Sequence, residues 1–208
     1  MDNCKIIIRL LKKYYPDAHC ALDHETPEQL LIATILSAQC TDERVNQVTK
    51  NLFKKYPDMK AFADANLGEL EQDIKPTGFF RNKAKNIKTC AQQLLSKFGG
   101  QIPKSLDEIT KLAGVGRKTG NVVLGNSFNI ASGIVVDTHV KRLSNRLGLT
   151  SSQNPEIIER ELIEIIPKKY WVMFSHWLIY HGRGVCKARK PQCNICFLAE
   201  HCPSVILN

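Results

Sequence analysis

Signals for starting a helix recur along this chain at close intervals, whereas signals for a strand are almost absent. Thr26-Pro27-Glu28-Gln29 joins an N-cap hydroxyl, a proline at the first helical position and a capping-box partner. The apolar run Leu30, Leu31, Ile32, Ile35 and Leu36 behind it predicts a helix buried on most sides. Thr41 or Asp42 can cap a second helix carrying Val45, Val48, Leu52 and Phe53. Asn66-Leu67-Gly68-Glu69 and Ser105-Leu106-Asp107-Glu108 repeat the signal, and Asn154-Pro155 opens a helix with Ile157, Ile158, Leu162 and Ile165. Gly99 and Gly148 stand where C-caps belong. Gly133-Ile134-Val135-Val136 is the one convincing strand candidate, too short to build a sheet. The pattern predicts an all-α protein of about nine or ten short helices joined by tight turns.

Composition narrows the partners. In 208 residues, 29 Lys and Arg outweigh 20 Asp and Glu, a formal charge of +9 that suits a polyanion. A basic but ordinary enzyme is equally compatible with charge alone. No apolar run reaches the roughly 18–20 residues needed to span a bilayer, so no membrane partner is expected. The opening stretch MDNCKIIIRLLKKYY makes a poor signal peptide and a reasonable amphipathic helix. The expected location is therefore cytoplasmic, associated with the nucleoid as in bacteria, where eight cysteines stay reduced.

Four of those cysteines are clustered. Cys186, Cys193, Cys196 and Cys202 read C-x6-C-x2-C-x5-C, in a segment with too few periodic apolar positions to fold alone. Metal–thiolate bonds would hold it. Cys4 zinc sites often use two C-x2-C pairs, and here only Cys193 and Cys196 form one. The uneven spacing fits a four-iron cubane at least as well. Spacing predicts a metal centre and leaves iron and zinc open. Cys4, Cys20, Cys40 and Cys90 are scattered and read as small buried hydrophobes.

Leu112-Ala113-Gly114-Val115-Gly116-Arg117-Lys118-Thr119 falls between two predicted helices. Gly114 and Gly116 allow a tight turn that buries Val115 and presents backbone N–H groups, at a helix start, to phosphate. Such a contact ignores base sequence. A plain helix–helix turn would look the same. What distinguishes this one is Lys118, two residues into the helix beside Arg117, where a cation is disfavoured by ~0.3–1 kcal/mol. Both neighbours favour the neutral amine, the form that attacks carbon. Asp137, in Val135-Val136-Asp137-Thr138-His139, reads as an N-cap, a role compatible with proton transfer. His139 reads as an ordinary helix-start residue.

Taken together, these pieces resemble the endonuclease III family of helix-hairpin-helix DNA glycosylases. The resemblance runs nearly end to end: Leu36-Ser37-Ala38-Gln39-Cys40-Thr41-Asp42, Gly78-Phe79-Phe80-Arg81-Asn82-Lys83-Ala84, Leu112 to Asn121, Val136-Asp137-Thr138-His139, and the closing cysteines. It implies two helical domains flanking a DNA-binding cleft: a six-helix barrel with the hairpin over residues 21–131, and a cluster domain of residues 1–20 and 132–208. It further implies a [4Fe–4S] cluster on the four cysteines, and a monomer acting on double-stranded DNA with damaged bases or abasic sites. Lys118 would attack C1′ and Asp137 would manage protons, with β-elimination nicking the strand 3′ to the lesion. Gln39 and Phe79 match the positions that fill the gap left by an extruded base, and Lys187, Arg189 and Lys190 match phosphate contacts. Gly120 departs from the usual Ala, and Phe79 from the common Leu. An adenine- or uracil-specific relative usually lacks the lysine, and a zinc-stabilised binding module leaves Lys118 with Asp137 unexplained.

Overall fold

The cap residues act where the sequence puts them. In a computed structural model describing residues 3–206, Thr26 Oγ1 accepts from the Gln29 N–H, Thr41 Oγ1 from Arg44 and Asn66 Oδ1 from Glu69. Asn154 Oδ1 accepts from both Glu156 and Ile157. Gln29 completes a capping box shifted by one residue, taking the N–H of Glu25 at 2.7 Å. Gly99 adopts the left-handed C-cap conformation and Gly148 has φ +68°, as helix ends ask of glycine.

These signals yield α1 (Asn3–Tyr14), α2 (Pro27–Leu36), α3 (Asp42–Lys55), α4 (Met59–Asp64), α5 (Leu67–Ile74), α6 (Phe80–Phe98), α7 (Leu106–Ile109), α8 (Arg117–Phe128), α9 (Thr138–Arg146), α10 (Pro155–Ile165) and α11 (Trp171–Gly184). Four 3₁₀ turns accompany them among the described residues, Lys75–Thr77 and Lys168–Tyr170 between helices and Cys193–Ile195 and Ala199–His201 after α11. The protein is all-α. The six-residue α4, capped by Asp58 on the Ala61 N–H, was not among the anticipated helices. Two further expectations need correction. Ser105 holds the N-cap position of α7 but makes no side-chain cap bond, and α7 ends at Ile109. No strand occurs among the described residues: Gly133–Val136 is irregular, and Ile134, 1% exposed, fills a helical core instead.

The chain divides into two compact units. Cys20–Ser132 holds α2–α8 around one core. Residues 30–36 of α2 are all buried, as the apolar run requires, and α2 lies against α3 and α8. On α6, Ala84, Ile87, Ala91 and Leu94 form an i, i+3, i+7, i+10 stripe facing α4 and α5. The other unit comprises Met1–His19 and Gly133–Asn208, of which residues 3–19 and 133–206 are described. Its core joins Ile7 and Leu11 of α1, Leu143 of α9, Leu162 of α10, and Phe174 and Leu178 of α11. The outer limits anticipated for this part, Met1, Asp2, Leu207 and Asn208, lie outside the described residues. No helix among the described residues is long and apolar enough to cross a membrane.

Because Asn154 alone caps two N–H groups of α10, Asn154→Ala is expected to lower unfolding free energy by about 1 kcal/mol, read from denaturant titration.

Candidate DNA-interaction elements and cysteine centre

The hairpin is built by two glycines with different reasons. Gly114 has φ +75°, and a Cβ there would stand 2.8 Å from Asn86 Cβ. Gly116 begins α8 in an extended conformation with no side-chain cap, and open space lies where its Cβ would be. Val115 between them is buried, as the turn requires. Lys118 is the second residue of α8 and is exposed. Gly120 explains its own departure from Ala. A Cβ would meet Leu106 Cδ1 at 2.8 Å and Ile109 Cγ2 at 2.9 Å, so an alanine here would make those α7 side chains shift. Glycine avoids that displacement while giving up roughly 1 kcal/mol of helix propensity.

Asp137 caps α9, its Oδ1 accepting from the Val140 N–H at 2.8 Å. The cap engages one oxygen of a half-buried carboxylate. From α11, His176 is electrostatically coupled to it: burial, then the charge of His19, push the imidazole down to about 4, while Asp137 opposes the shift. His139 is a packing residue, with Nδ1 3.3 Å from Arg142 Nη2 and Gly182 fitted against it.

Gln39 and Phe79 share an unusual backbone. Gln39 has φ +54° and Phe79 +48°, with Lys190 at +52° and Asn129 at +54° the other non-glycine residues of positive φ among those described. Asn129 is an ordinary C-cap of α8. The other three are the anticipated wedge residues and one anticipated phosphate contact. Gln39 is exposed, and Phe79 is 64% exposed at the start of α6 with no side-chain cap. Lys83, in the polar run that follows Phe79, is buried, its Nζ donating to the carbonyls of Leu36 and Thr77. An isolated Lys in a polar run gives no signal of that.

The four clustered cysteines line one cavity of about 30 Å³, walled by Leu143, Arg146, Leu147, His181 and Leu198. That exceeds the ~10–15 Å³ one water needs. Among the described residues, no three His, Cys, Asp or Glu gather as the ligands of a single metal ion would. A cavity lined by all four thiols is compatible with one metal centre held by this loop. Within residues 186–206 only Leu198 is buried, so apolar packing contributes little here. Burial, with the neighbouring thiols, holds the Cys196 and Cys202 thiols above their ordinary range. A positively charged group would let all four ionise.

The surroundings supply donors. Arg146 Nη1 donates to Cys186 Sγ at 3.2 Å and to the Lys187 carbonyl, and its Nη2 to the Ala188 carbonyl. Arg142 Nη2 donates to the carbonyls of Gly182 and Cys186. Burial pushes His181 down to about 4 and Tyr15 up to about 12, so both are neutral at neutral pH. The Tyr15 hydroxyl then donates to His181 Nδ1 at 3.0 Å, leaving the Nε2–H to donate to Cys196 Sγ at 3.4 Å. Lys187, Arg189 and Lys190 are exposed on the loop that Arg146 anchors.

An all-α fold with a glycine hairpin and a four-cysteine loop defines a class of DNA-repair proteins. Residues 32–168 match the family described as HhH-GPD superfamily base excision DNA repair protein, and residues 186–202 match the iron-sulfur binding domain of endonuclease III. The chain is 56% identical over 198 residues to endonuclease III of Synechocystis sp., covering 95% of this chain and 90% of that protein. It is 45% identical over 189 residues to endonuclease III of Bacillus subtilis, covering 90% and 86%. The solved structure of a trapped endonuclease III–DNA covalent intermediate superposes with TM-score 0.91 at 45% identity, over 98% of this chain and 97% of that one. The chain belongs to the endonuclease III family, and its cofactor is a [4Fe–4S] cluster.

Two outcomes follow. Purified protein should be yellow-brown and contain iron and inorganic sulfide without zinc; stripping the iron should lower thermal stability, because the 186–206 segment loses its main source of order. Acid should also destabilise the unit holding His176. Below pH ~6.5 the unfolded chain takes up a proton that the folded imidazole refuses until about pH 4. On the order of 2–3 kcal/mol is lost across that window, and a His176→Gln variant should show a shallower fall in unfolding free energy with pH.

Proposed function

We propose that this chain is a bifunctional DNA glycosylase and abasic-site lyase that removes oxidised pyrimidines from double-stranded DNA, with Lys118 as nucleophile. The observation that carries the reading is the position of Lys118: exposed, second in α8, directly after a glycine turn that offers no capping side chain. Phosphate contacts to the Gly114–Gly116 backbone would hold the strand so that the amine meets the sugar.

The damaged nucleotide leaves the stack at a cost of a few kcal/mol, while Gln39 and Phe79 occupy the vacated space. The Lys118 amine attacks C1′ as the glycosidic bond breaks, and the base departs with the bonding electrons and takes up a proton. Asp137 stabilises the cationic sugar and accepts the proton lost by the amine. Ring opening gives a Schiff base between Lys118 and C1′. Removal of a C2′ proton then expels the 3′ phosphate, and water releases the enzyme.

In this reading, Cys20–Ser132 is the barrel and hairpin domain, and the unit of Met1–His19 and Gly133–Asn208 is the cluster domain. Cys186, Cys193, Cys196 and Cys202 hold the [4Fe–4S] cluster, which when bound cross-links the C-terminal loop. That loop carries Lys187, Arg189 and Lys190 to phosphate, and Lys118, Asp137, Gln39 and Phe79 supply the chemistry. The protein acts as a monomer in the cytoplasm, at the nucleoid.

Borohydride is expected to trap wild-type protein covalently on a thymine-glycol duplex. Lys118→Gln should bind that duplex while losing base release and cross-linking by about 10³-fold or more; full lyase activity in the variant would reject the nucleophile. Asp137 can be tested apart from its cap. Asparagine caps helices as well as aspartate, so Asp137→Asn should stay within about 0.5 kcal/mol of wild-type stability while base release falls by about 10²–10⁴-fold. Asp137→Ala should lose both.

A further inference from the structure

The turns that carry Gln39 and Phe79 are separate in sequence, and one buried cation touches both. Lys83 is 5% exposed; its Nζ lies 2.7 Å from the Leu36 carbonyl and 2.8 Å from the Thr77 carbonyl. Leu36 ends α2, and Gln39 follows shortly after it; Thr77 ends the Lys75–Thr77 3₁₀ turn, and Phe79 follows after Gly78. The Lys83 backbone N–H also donates to the Phe79 carbonyl at 3.1 Å. Each turn has its own local bonds. Cys40 N–H donates to the Ser37 carbonyl and Ser37 Oγ to Thr34, while Gly78 N–H donates to Lys75 and Thr77 Oγ1 to Ile74. These bonds hold each turn to its own helix, and none of them crosses to the other turn. The ammonium does.

We infer that Lys83 is a positioning residue, fixing the spacing between Gln39 and Phe79 so that the two enter the duplex as a preset pair. The inference rests on the reading of those residues as the wedge. The chemistry favours lysine here. Carbonyls at two helix ends carry partial negative charge, and only a compact group with several donors can serve both. Burial pushes this amine below its usual range, with Cys40 opposing, and the same burial strengthens its two hydrogen bonds. Both wedge residues sit in the left-handed region, a conformation that persists only where the surroundings over-determine it.

The test separates base extrusion from bond breaking. Holoprotein carrying Lys83→Met is compared with wild type on a thymine-glycol duplex and on a single-stranded abasic oligonucleotide, which needs no wedge. The expected result is a fall of about 10- to 100-fold in kcat/KM on the duplex and a change of no more than about threefold on the single strand. Adding Phe79→Ala to Lys83→Met should then cost little more on the duplex than either change alone, the signature of a shared pathway. Lys83→Arg, which keeps the cation, should recover part of the duplex activity, and it carries the comparison if the Met variant does not fold. Equal losses on both substrates, or full additivity with Phe79→Ala, would overturn the inference. If Gln39→Ala and Phe79→Ala themselves leave duplex turnover intact, the wedge reading fails and this inference with it. If those two lose activity and the Lys83 variants do not, only the role of Lys83 fails.

Discussion

Every α-helix leaves N–H groups at its start and carbonyls at its end without intrahelical partners, and a fold of many short helices multiplies that demand. Five of the eleven helix starts among the described residues are met by ordinary side-chain caps from Thr26, Thr41, Asp58, Asn66 and Asn154. Three elements proposed to act on DNA depart from that solution, as α7 and α11 also do. Phe79 stands at the N-cap of α6 and Gly116 at that of α8, neither with a side-chain cap bond. α9 begins at Asp137, a carboxylate that caps with one oxygen. A helix start without a capping side chain is suited to an external acceptor, and DNA phosphate is one.

This explains what sequence could reveal. Caps are local, so Thr26, Asn66 and Asn154 could be read from neighbouring residues, and the hairpin glycines could be read because a tight turn demands them. Lys83 could not: its burial depends on the ends of α2 and the 3₁₀ turn converging, which no window around residue 83 contains. The left-handed backbones of Gln39, Phe79 and Lys190 were equally invisible, since none is a residue type that favours that region. Gly120 looked like a small loss of helix propensity until the contacts to Leu106 and Ile109 gave it a packing reason. The Gly133–Val136 run misled because apolar β-branched residues signal burial as readily as strand, and burial is what Ile134 achieves.

The cysteine centre shows the same division. Four thiols in one short segment announce a metal, but spacing along the chain says nothing of how far apart the sulfurs stand. The fold adds that all four line one cavity, in a described 186–206 segment where Leu198 is the sole buried residue. A loop with so little apolar burial depends on covalent bonds to the cluster and on the guanidinium anchors of Arg142 and Arg146. Basic residues on such a loop hold their charges in a defined place, which a free polycationic tail would not.

The strained positions are informative because relief was close at hand. Gly78 precedes Phe79 and takes φ +70° freely, yet residue 79 carries a large side chain at +48°. A left-handed L-residue gives up roughly 1–2 kcal/mol, and an aromatic ring 64% exposed forgoes burial as well. Glycine would remove both penalties at residue 79, and the backbone strain at residues 39 and 190. Side chains kept at positions that glycine would relieve fit the proposed role of Gln39, Phe79 and Lys190 in meeting DNA. Gln39 and Phe79 share a unit with the Lys118 hairpin, and Lys190 lies on the cysteine loop, so the strain falls on the elements proposed to meet DNA.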